Sequence, residues 1–213
     1  ADKEGEAIAL LNIGSVYSEQ NNYAEAFEYF SRALNQYQIL GDYSGRLSAL
    51  NKIGETQMKF NSLANALETF TAALELAEDV RALEIIPAIA NNIGLSYFKS
   101  KDYQNALNAF EFALKNNSNE NNPELSWILY SNIGDCKYKL FYDSEAIEYY
   151  KKAINAAAEY GEGFVINLFR LKTADVLLQQ ALLGAGATAY NLDDFAAAED
   201  AWRKVLAIDP KNI

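Results

Sequence analysis

Apolar residues recur along this chain at steps of three and four residues, the spacing that puts side chains on one face of an α-helix. In residues 86–117, this spacing stops at Lys99 and resumes at Tyr103, with Asp102 in between. A carboxylate at that point can accept hydrogen bonds from the free backbone N–H groups of a following helix. The pattern therefore predicts two antiparallel helices joined by a short turn. The same capping role is predicted for Asn22, Ser62 and Asp194.

Small and aromatic residues repeat through most of the chain with a period of about 40 residues, which is within the range of known helical repeats. The glycine register contains Gly14, Gly54, Gly94 and Gly134. The alanine register contains Ala26, Ala66, Ala106 and Ala146, and the aromatic register contains Phe30, Phe70, Phe110 and Tyr150. Such a period is typical of solenoids, in which each unit buries its apolar face only by stacking on its neighbours. We therefore predict an all-α fold, an α-α superhelix of about five helix-turn-helix repeats.

The unit resembles the tetratricopeptide repeat, whose signature is an apolar residue and Gly, followed by Tyr, Ala, an aromatic residue and Ala. The matching residues are Ile93-Gly94, Tyr97, Ala106, Phe110 and Ala113. The long period is similar to that of kinesin light chains, LGN-type adaptors and bacterial peptide-sensing regulators. The resemblance implies a right-handed superhelix of helix pairs whose concave groove holds a peptide or a partner protein.

Two structural expectations follow from this unit. Its long period exceeds that of the usual tetratricopeptide repeat, about 34 residues, so each helix should be nearly one turn longer. Gly94 and Ala106 lack bulk and should let the two helix backbones approach closely, while Tyr97 and Phe110 fill the space between neighbouring pairs.

The repeats define one domain over residues 1–213, with units at about 3–40, 41–80, 81–120 and 121–160. After Gly163 the long period is lost. Residues 162–180 are interpreted as an irregular long helix or a half repeat; we favour one helix over 164–190. A final repeat of the shorter type is expected over 181–213, with Gly186 and Ala198 at its signature positions.

Composition narrows the possible functions. The net charge of -11 argues against sequence-independent nucleic-acid binding and against attachment to anionic membranes, because both require a basic face. The chain has no histidine and one cysteine, Cys136, which we interpret as a passive, packed thiol. We expect no catalytic residue, metal site or cofactor, and a protein that is not an enzyme.

The first helix of each predicted pair carries polar residues on one stripe. With Gly94 counted as position eight of its unit, positions two, six, nine and thirteen share nearly one azimuth. Position six holds Asn12, Lys52, Asn92 and Asn132, and position five adds Asn51, Asn91 and Ser131. Position thirteen holds Lys59, Lys99 and Lys139, with Glu19 in the first repeat.

These residues form the predicted peptide-binding groove. An asparagine amide can both donate to and accept from an extended peptide backbone. The resemblance to long-period repeats implies this role for Asn12, Asn92 and Asn132. Lysines could hold acidic side chains or a terminal carboxylate. The alternatives are that the lysines only complement helix dipoles and that the asparagines only bond neighbouring helices.

The function favoured by the sequence is a non-enzymatic scaffold or adaptor that binds a protein or an extended peptide. One alternative is the sensor half of a bacterial signalling regulator whose effector domain lies outside this sequence. Another is self-assembly as a homo-oligomer through solenoid ends, because the first repeat begins at once with the apolar Ile8, Ala9, Leu10 and Leu11. Without a recognisable signal peptide or membrane span, we expect a cytoplasmic protein.

Overall fold

The computed structural model describes residues 2–117, 122–159, 190–191 and 195–208, and within them it contains nine α-helices and no strand. The helices are α1 Lys3–Glu19, α2 Tyr23–Leu40, α3 Tyr43–Lys59, α4 Leu63–Asp79, α5 Ile86–Lys99, α6 Tyr103–Asn116, α7 Pro123–Lys139, α8 Asp143–Glu159 and α9 Phe195–Ile208. From α1 to α8, each helix packs against the next one along the chain. The first helices of neighbouring pairs, α1, α3, α5 and α7, also contact one another. The predicted all-α solenoid of helix-turn-helix repeats is confirmed.

The aromatic residue of each pair lies on the glycine of the same pair. A Cβ atom added to Gly94 would lie 2.5 Å from Cε1 of Phe110, and one added to Gly54 would lie 2.5 Å from Cε1 of Phe70. Gly14 meets Phe30 and Gly134 meets Tyr150 in the same way. The glycine is thus needed to admit a side-chain ring from the second helix. The expected close approach of the two backbones at Gly94 and Ala106 stays a prediction.

The same aromatic residues also join one pair to the next. Phe110 is fully buried, and it belongs to a core cluster that includes Leu125, Leu129 and Ile133 of the following first helix. Ala106 and Ala113 complete the α6 side of this cluster, and both are fully buried. The expectation that Phe110 fills the space between neighbouring pairs is therefore confirmed.

Six of the helices end at a left-handed residue, and these residues lie 20 apart, or 40 apart between Lys101 and Phe141. Their φ angles are between 58° and 70°, and the residues are Asn21, Gly41, Asn61, Arg81, Lys101 and Phe141. In the first turn, Asn22 donates its N–H to the Tyr17 carbonyl while Asn21 donates to that of Ser18. The other five turns repeat both bonds at the same separations. This is the Schellman motif, which satisfies carbonyl groups that a helix end otherwise leaves without partners.

The start of each helix agrees only partly with the capping predictions. Asp102 caps α6, since its carboxylate accepts the N–H of Asn105 at 3.2 Å. Asn22 and Ser62 occupy the cap positions of α2 and α4, but their side chains make no capping hydrogen bond. Their predicted cap bonds are therefore wrong, although their carbonyls still accept the first helical bonds. Asp194 lies outside the described residues.

Helix length is not uniform across the repeats. The helices of the first two pairs have 17 or 18 residues, whereas α5 and α6 have 14 each. In the third repeat, residues 80–85 form the turn before α5 instead of extending its first helix, and Pro87 lies in the first turn of α5. The expectation that every helix gains nearly a turn is therefore wrong for the third pair.

The C-terminal expectations are only partly accessible. The favoured helix over 164–190 and Gly186 fall almost wholly outside the described residues. Ala198 lies in α9 and is buried, as the resemblance implies for its register. The proposed unit boundaries, including 162–180 and 181–213, stay predictions.

The glycine–aromatic contact predicts coupled effects on stability. Phe110→Ala should lower the free energy of unfolding by about 3–5 kcal/mol, because it opens a cavity at a repeat junction. Gly94→Ala should lower it by about 1–3 kcal/mol, because the new methyl group overlaps the ring. The double variant should lose less than the sum of the two, since the methyl group then enters the vacated space. Urea denaturation measures all three losses, and strict additivity would contradict the contact.

The left-handed turns predict a stabilising substitution. A positive φ costs a residue with a Cβ about 1 kcal/mol or more, and Lys101 has a φ of 64°. Lys101→Gly should therefore raise the free energy of unfolding by about 0.5–1 kcal/mol after the entropic cost of glycine. Ala72→Gly, on the exposed middle of α4, is the control and should lower it by about 1 kcal/mol. Equal losses in both variants would show that the turn stores no strain.

Candidate peptide-binding groove

Two asparagine pairs connect the first helices of successive repeats. Asn92 of α5 donates an amide N–H to the side-chain oxygen of Asn51 on α3, at 2.8 Å. Asn132 of α7 makes the same bond to Asn91 on α5, at 2.9 Å. Each bond joins position six of one repeat to position five of the repeat before it. The alternative role predicted from the sequence, in which these asparagines bond neighbouring helices, is thus seen in the structure.

These bonds do not use all of the hydrogen-bonding capacity of the donor amides. An asparagine amide has two N–H groups and a carbonyl oxygen, and each pair uses one N–H of its donor. Asn92 and Asn132 are half-buried, whereas Asn91 is buried at 9% exposure. The inter-repeat bond therefore fixes the orientation of an amide that is still partly accessible. Asn12, in the first repeat, is exposed.

The junction between the first two repeats has a different polar arrangement. Position five of the first repeat is Leu11 and position six of the second is Lys52, so no amide pair forms there. The Lys52 ammonium lies 3.0 Å from the Glu55 carboxylate, which also accepts the amide of Asn51 at 2.7 Å. This network is a local departure from the asparagine ladder.

Position thirteen forms an ion pair across the same junction. The Lys59 ammonium lies 3.0 Å from the Glu19 carboxylate, one repeat away, and 3.5 Å from the Ser18 hydroxyl. The hydrogen bond and charge of Lys59 hold the pKa of the Glu19 carboxyl below its usual range. The positive charge of Lys59 is therefore balanced by the Glu19 carboxylate.

The remaining groove lysines lie in the third and fourth repeats. Lys99 is exposed in the last turn of α5, and Lys139 lies in the last turn of α7 with its ammonium 5.3 Å from the centre of the Tyr138 ring. Both positions also suit a cation at the negative end of a helix. Two of the predicted lysines, Lys52 and Lys59, are thus ion-paired, and Lys99 lies exposed one repeat further along.

Two structural features could have been sought in the sequence but were not predicted from it. The Tyr150 hydroxyl donates to the Asp135 carboxylate at 2.8 Å, and burial and this carboxylate raise the pKa of Tyr150. The signal was tyrosine in place of phenylalanine in the aromatic register, with an acid one residue after Gly134. The second feature is a cavity of about 260 Å³ between α2, α3 and α4, lined by Tyr23, Ala24, Phe27, Thr56, Gln57, Phe60, Ser62 and Asn65. Phe60, in a register that otherwise holds Gln20, Ser100 and Leu140, was a sequence signal of it.

Other chemistry in the described part of the chain is limited. Those residues include no cluster of three or more potential metal-ligating side chains. None of their helices has the length and apolar character to cross a membrane. Cys136 is fully buried in the core between the third and fourth repeats.

The chain belongs to the tetratricopeptide repeat family. The family model matches residues 5–79 and 86–159, which are the first four helix pairs described above. No curated protein sequence matches the chain significantly.

Several solved structures share this fold across nearly all of the chain. A Rap protein complexed with Competence and Sporulation Factor has a TM-score of 0.72 and 21% identity, covering 99% of this chain and 66% of the Rap chain. Aspartyl phosphate phosphatase F from Bacillus subtilis has a TM-score of 0.72 and 17% identity, with coverages of 98% and 61%. A STAND signal-transduction ATPase with a tetratricopeptide repeat sensor, from Pyrococcus horikoshii, has a TM-score of 0.69 and 19% identity, with coverages of 98% and 34%. This chain thus spans less than two thirds of the length of each of these three proteins.

The burial of Cys136 predicts an unreactive thiol. Burial, followed by the charges of Asp135 and Glu111, raises the pKa of Cys136 to about 12. At neutral pH the native thiol should therefore react negligibly with a disulfide reagent, and unfolding in urea should release one thiol equivalent. Absorbance of the released thiolate measures both states. Fast reaction in native buffer would contradict the buried position.

Proposed function

We propose that this chain is a non-enzymatic protein-interaction module that holds an extended peptide segment in the groove lined by α1, α3, α5 and α7. The observation that carries the proposal is the pair of inter-repeat amide bonds, Asn92 to Asn51 and Asn132 to Asn91. They hold two half-buried amides in fixed orientations on adjacent first helices. Amides fixed in this way can bind peptide backbone without a further loss of side-chain entropy.

The spacing of the amides suits an extended chain. Packed helices lie about 8–10 Å apart, and an extended peptide rises about 3.3 Å per residue. One groove asparagine therefore corresponds to about three peptide residues. Contacts at such intervals to backbone N–H and C=O groups bind many sequences, and side-chain preferences come from the surfaces between them.

We propose that the segment is acidic where it crosses the third repeat. Lys52 and Lys59 are paired with Glu55 and Glu19, so their charges are already compensated. Lys99, exposed in the last turn of α5, supplies the positive charge near Asn92. A carboxylate of the bound peptide next to Lys99 would meet a positive charge within an otherwise acidic protein.

The family and the similar structures support this proposal in general terms. The Rap structure contains a bound factor, and the STAND protein carries its repeats as a sensor, so related folds serve recognition in those proteins. One similar structure is of a phosphatase, yet this chain has no histidine and its cysteine thiol is held protonated by burial. We therefore propose binding without catalysis. A sensor role within a larger regulator is a special case of the same groove function.

The groove is tested with a bead-displayed library of random decapeptides, followed by fluorescence titration of the selected peptides. The Asn92→Ala, Asn132→Ala double variant should bind them about 10- to 100-fold more weakly, because two hydrogen bonds of about 1 kcal/mol each are lost. Selected peptides should be enriched in Asp and Glu, and their affinity should fall as salt rises. Failure to select any peptide, or unchanged affinity in the double variant, would contradict the groove assignment.

The structure provides a matched control for this experiment. Asn91→Ala breaks the same inter-repeat bond as Asn132→Ala, but it leaves the Asn132 amide in the groove. Direct contact predicts a clear loss of affinity in Asn132→Ala and a small one in Asn91→Ala. Equal losses would mean that the pair only sets the geometry of the junction, and the proposal of direct amide contact would be wrong.

A further inference from the structure

The cavity between α2, α3 and α4 has aromatic walls that the fold leaves partly uncovered. Phe27 of α2 is 45% exposed, and Phe60, which follows α3, is 69% exposed. The rings of Tyr23 and Phe60 meet edge to face, with their centroids 6.2 Å apart. In the register of Phe27, the third repeat has Leu107, which is buried. We call the cavity the aromatic cleft and define it by the lining residues Tyr23, Phe27, Thr56, Gln57, Phe60, Ser62 and Asn65.

The cleft lies where the second repeat lacks large side chains that other repeats have. Gln57 occupies a register that holds a tyrosine in the first and third repeats, Tyr17 and Tyr97. The ring of Tyr17 stacks on that of Tyr29, with the centroids 5.3 Å apart. In the second repeat the same two registers hold Gln57 and Thr69, and the Thr69 hydroxyl donates to the side-chain oxygen of Gln57 at 2.8 Å. Two stacked rings are thus replaced by two smaller polar side chains next to a cavity of about 260 Å³.

The size and polarity of the cleft suit a phenol ring. An apolar cavity of about 150 Å³ already holds a benzene molecule, so one ring fits into this cleft. The bond from Thr69 orients the Gln57 amide, and none of the described residues accepts a hydrogen bond from the amide N–H groups. A phenol oxygen can accept such a bond, whereas a phenyl ring has no acceptor atom and an indole N–H only donates. None of the lining residues is charged, so a phosphate ester in the cleft would have no counterion.

Two further lining residues indicate that the ring belongs to a polypeptide. Ser62 occupies the cap position of α4, but its side chain makes no capping hydrogen bond. Asn65, one turn further along α4, is exposed. Their hydroxyl and amide groups can bond to the backbone on either side of a bound tyrosine, whereas a free phenol would leave them unused.

We propose that the aromatic cleft binds an unphosphorylated tyrosine side chain of a partner protein. The ring lies between Phe27 and Phe60, and its hydroxyl oxygen accepts an N–H of Gln57. Tyrosine is one of the residues that most often dominate the binding energy of an interface. On α3 the cleft residues lie about one third of the helix circumference away from the groove stripe, since each residue turns the helix by about 100°. The cleft is therefore a second site, and it does not rest on the proposed peptide groove.

Nuclear magnetic resonance of the complete, ¹⁵N-labelled chain tests the cleft by titration with p-cresol, which is the tyrosine side chain alone. The side-chain amides of Gln57 and Asn65 should shift with a common Kd of about 0.1–10 mM, as expected for so small a ligand. N-acetyl-tyrosine amide should bind about 3- to 10-fold more tightly through the added backbone bonds, and toluene about 3- to 10-fold more weakly than p-cresol. N-acetyl-phosphotyrosine amide should bind more weakly than the unphosphorylated amide. No shift at about 20 mM p-cresol, or equal affinity for toluene, would overturn the proposal, and binding of the tyrosine amide no tighter than that of p-cresol would exclude the partner side chain.

Matched variants show whether p-cresol binds in the cleft itself. Phe60→Ser, which introduces the residue type of the third repeat at this register, should weaken binding about 5-fold or more. Phe141→Ser is the control, since Phe141 is 75% exposed but lies in the turn between α7 and α8. It should leave the Kd unchanged.

A second variant fills the cleft from within. Gln57→Tyr supplies a ring from the chain itself and should abolish the shift of the Asn65 amide, while urea denaturation shows that the variant is folded. The Asn92→Ala, Asn132→Ala double variant should bind p-cresol as the parent does, so the cleft and the groove can fail separately. Equal weakening by Phe60→Ser and Phe141→Ser, or undiminished binding by Gln57→Tyr, would exclude the aromatic cleft as the site.

Discussion

The contact on which the structure depends is that of an aromatic ring with the glycine that faces it from the preceding helix. The ring can pack this closely on the first helix only where the Cβ is missing, because in all four examples a Cβ atom would lie less than 3.0 Å from the ring. The contact fixes the distance and rotation of the two helices in a pair. Because the same ring also reaches the next first helix, it carries the geometry of one pair to the next. The stack of first helices, and so the groove, is a consequence of this contact.

The groove inherits its regularity from the stack, but its chemistry changes along it. At the second and third junctions, an asparagine of one repeat is hydrogen-bonded to an asparagine of the repeat before it. At the first junction the amide pair is replaced by Leu11, Lys52 and a lysine–glutamate ion pair. The polar surface thus carries ion pairs at the first junction and paired amides at the next two. An elongated ligand would meet these two environments in order, which gives a direction to a surface built from repeats.

The repeat, the helix pairs and the buried aromatic positions could be predicted from sequence, because they recur in a fixed register and each copy confirms the others. The partners of the polar groove residues could not. Lys59 and Glu19 lie one full repeat apart in the sequence, and their pairing depends on the relative rotation of α1 and α3, which no local pattern encodes. The left-handed turns at Lys101 and Phe141 could not be predicted either, since neither lysine nor phenylalanine favours the left-handed conformation. In the third repeat, the helix length was overestimated because the same period can be filled by a longer turn.

The left-handed turns also bear on how such a chain could have arisen. At each of these turns, a helix is ended by hydrogen bonds within its own last turn, so its length is set locally and does not depend on the neighbouring repeats. A segment between two such turns therefore contains the residues that begin and end its own helix. Duplication of two segments, including both turns, would therefore add a complete helix pair whose ends already match those of the existing array. Lengthening of the ancestral gene by whole units would leave every older turn intact. It would also produce repeats in a constant register, as seen in the first four pairs.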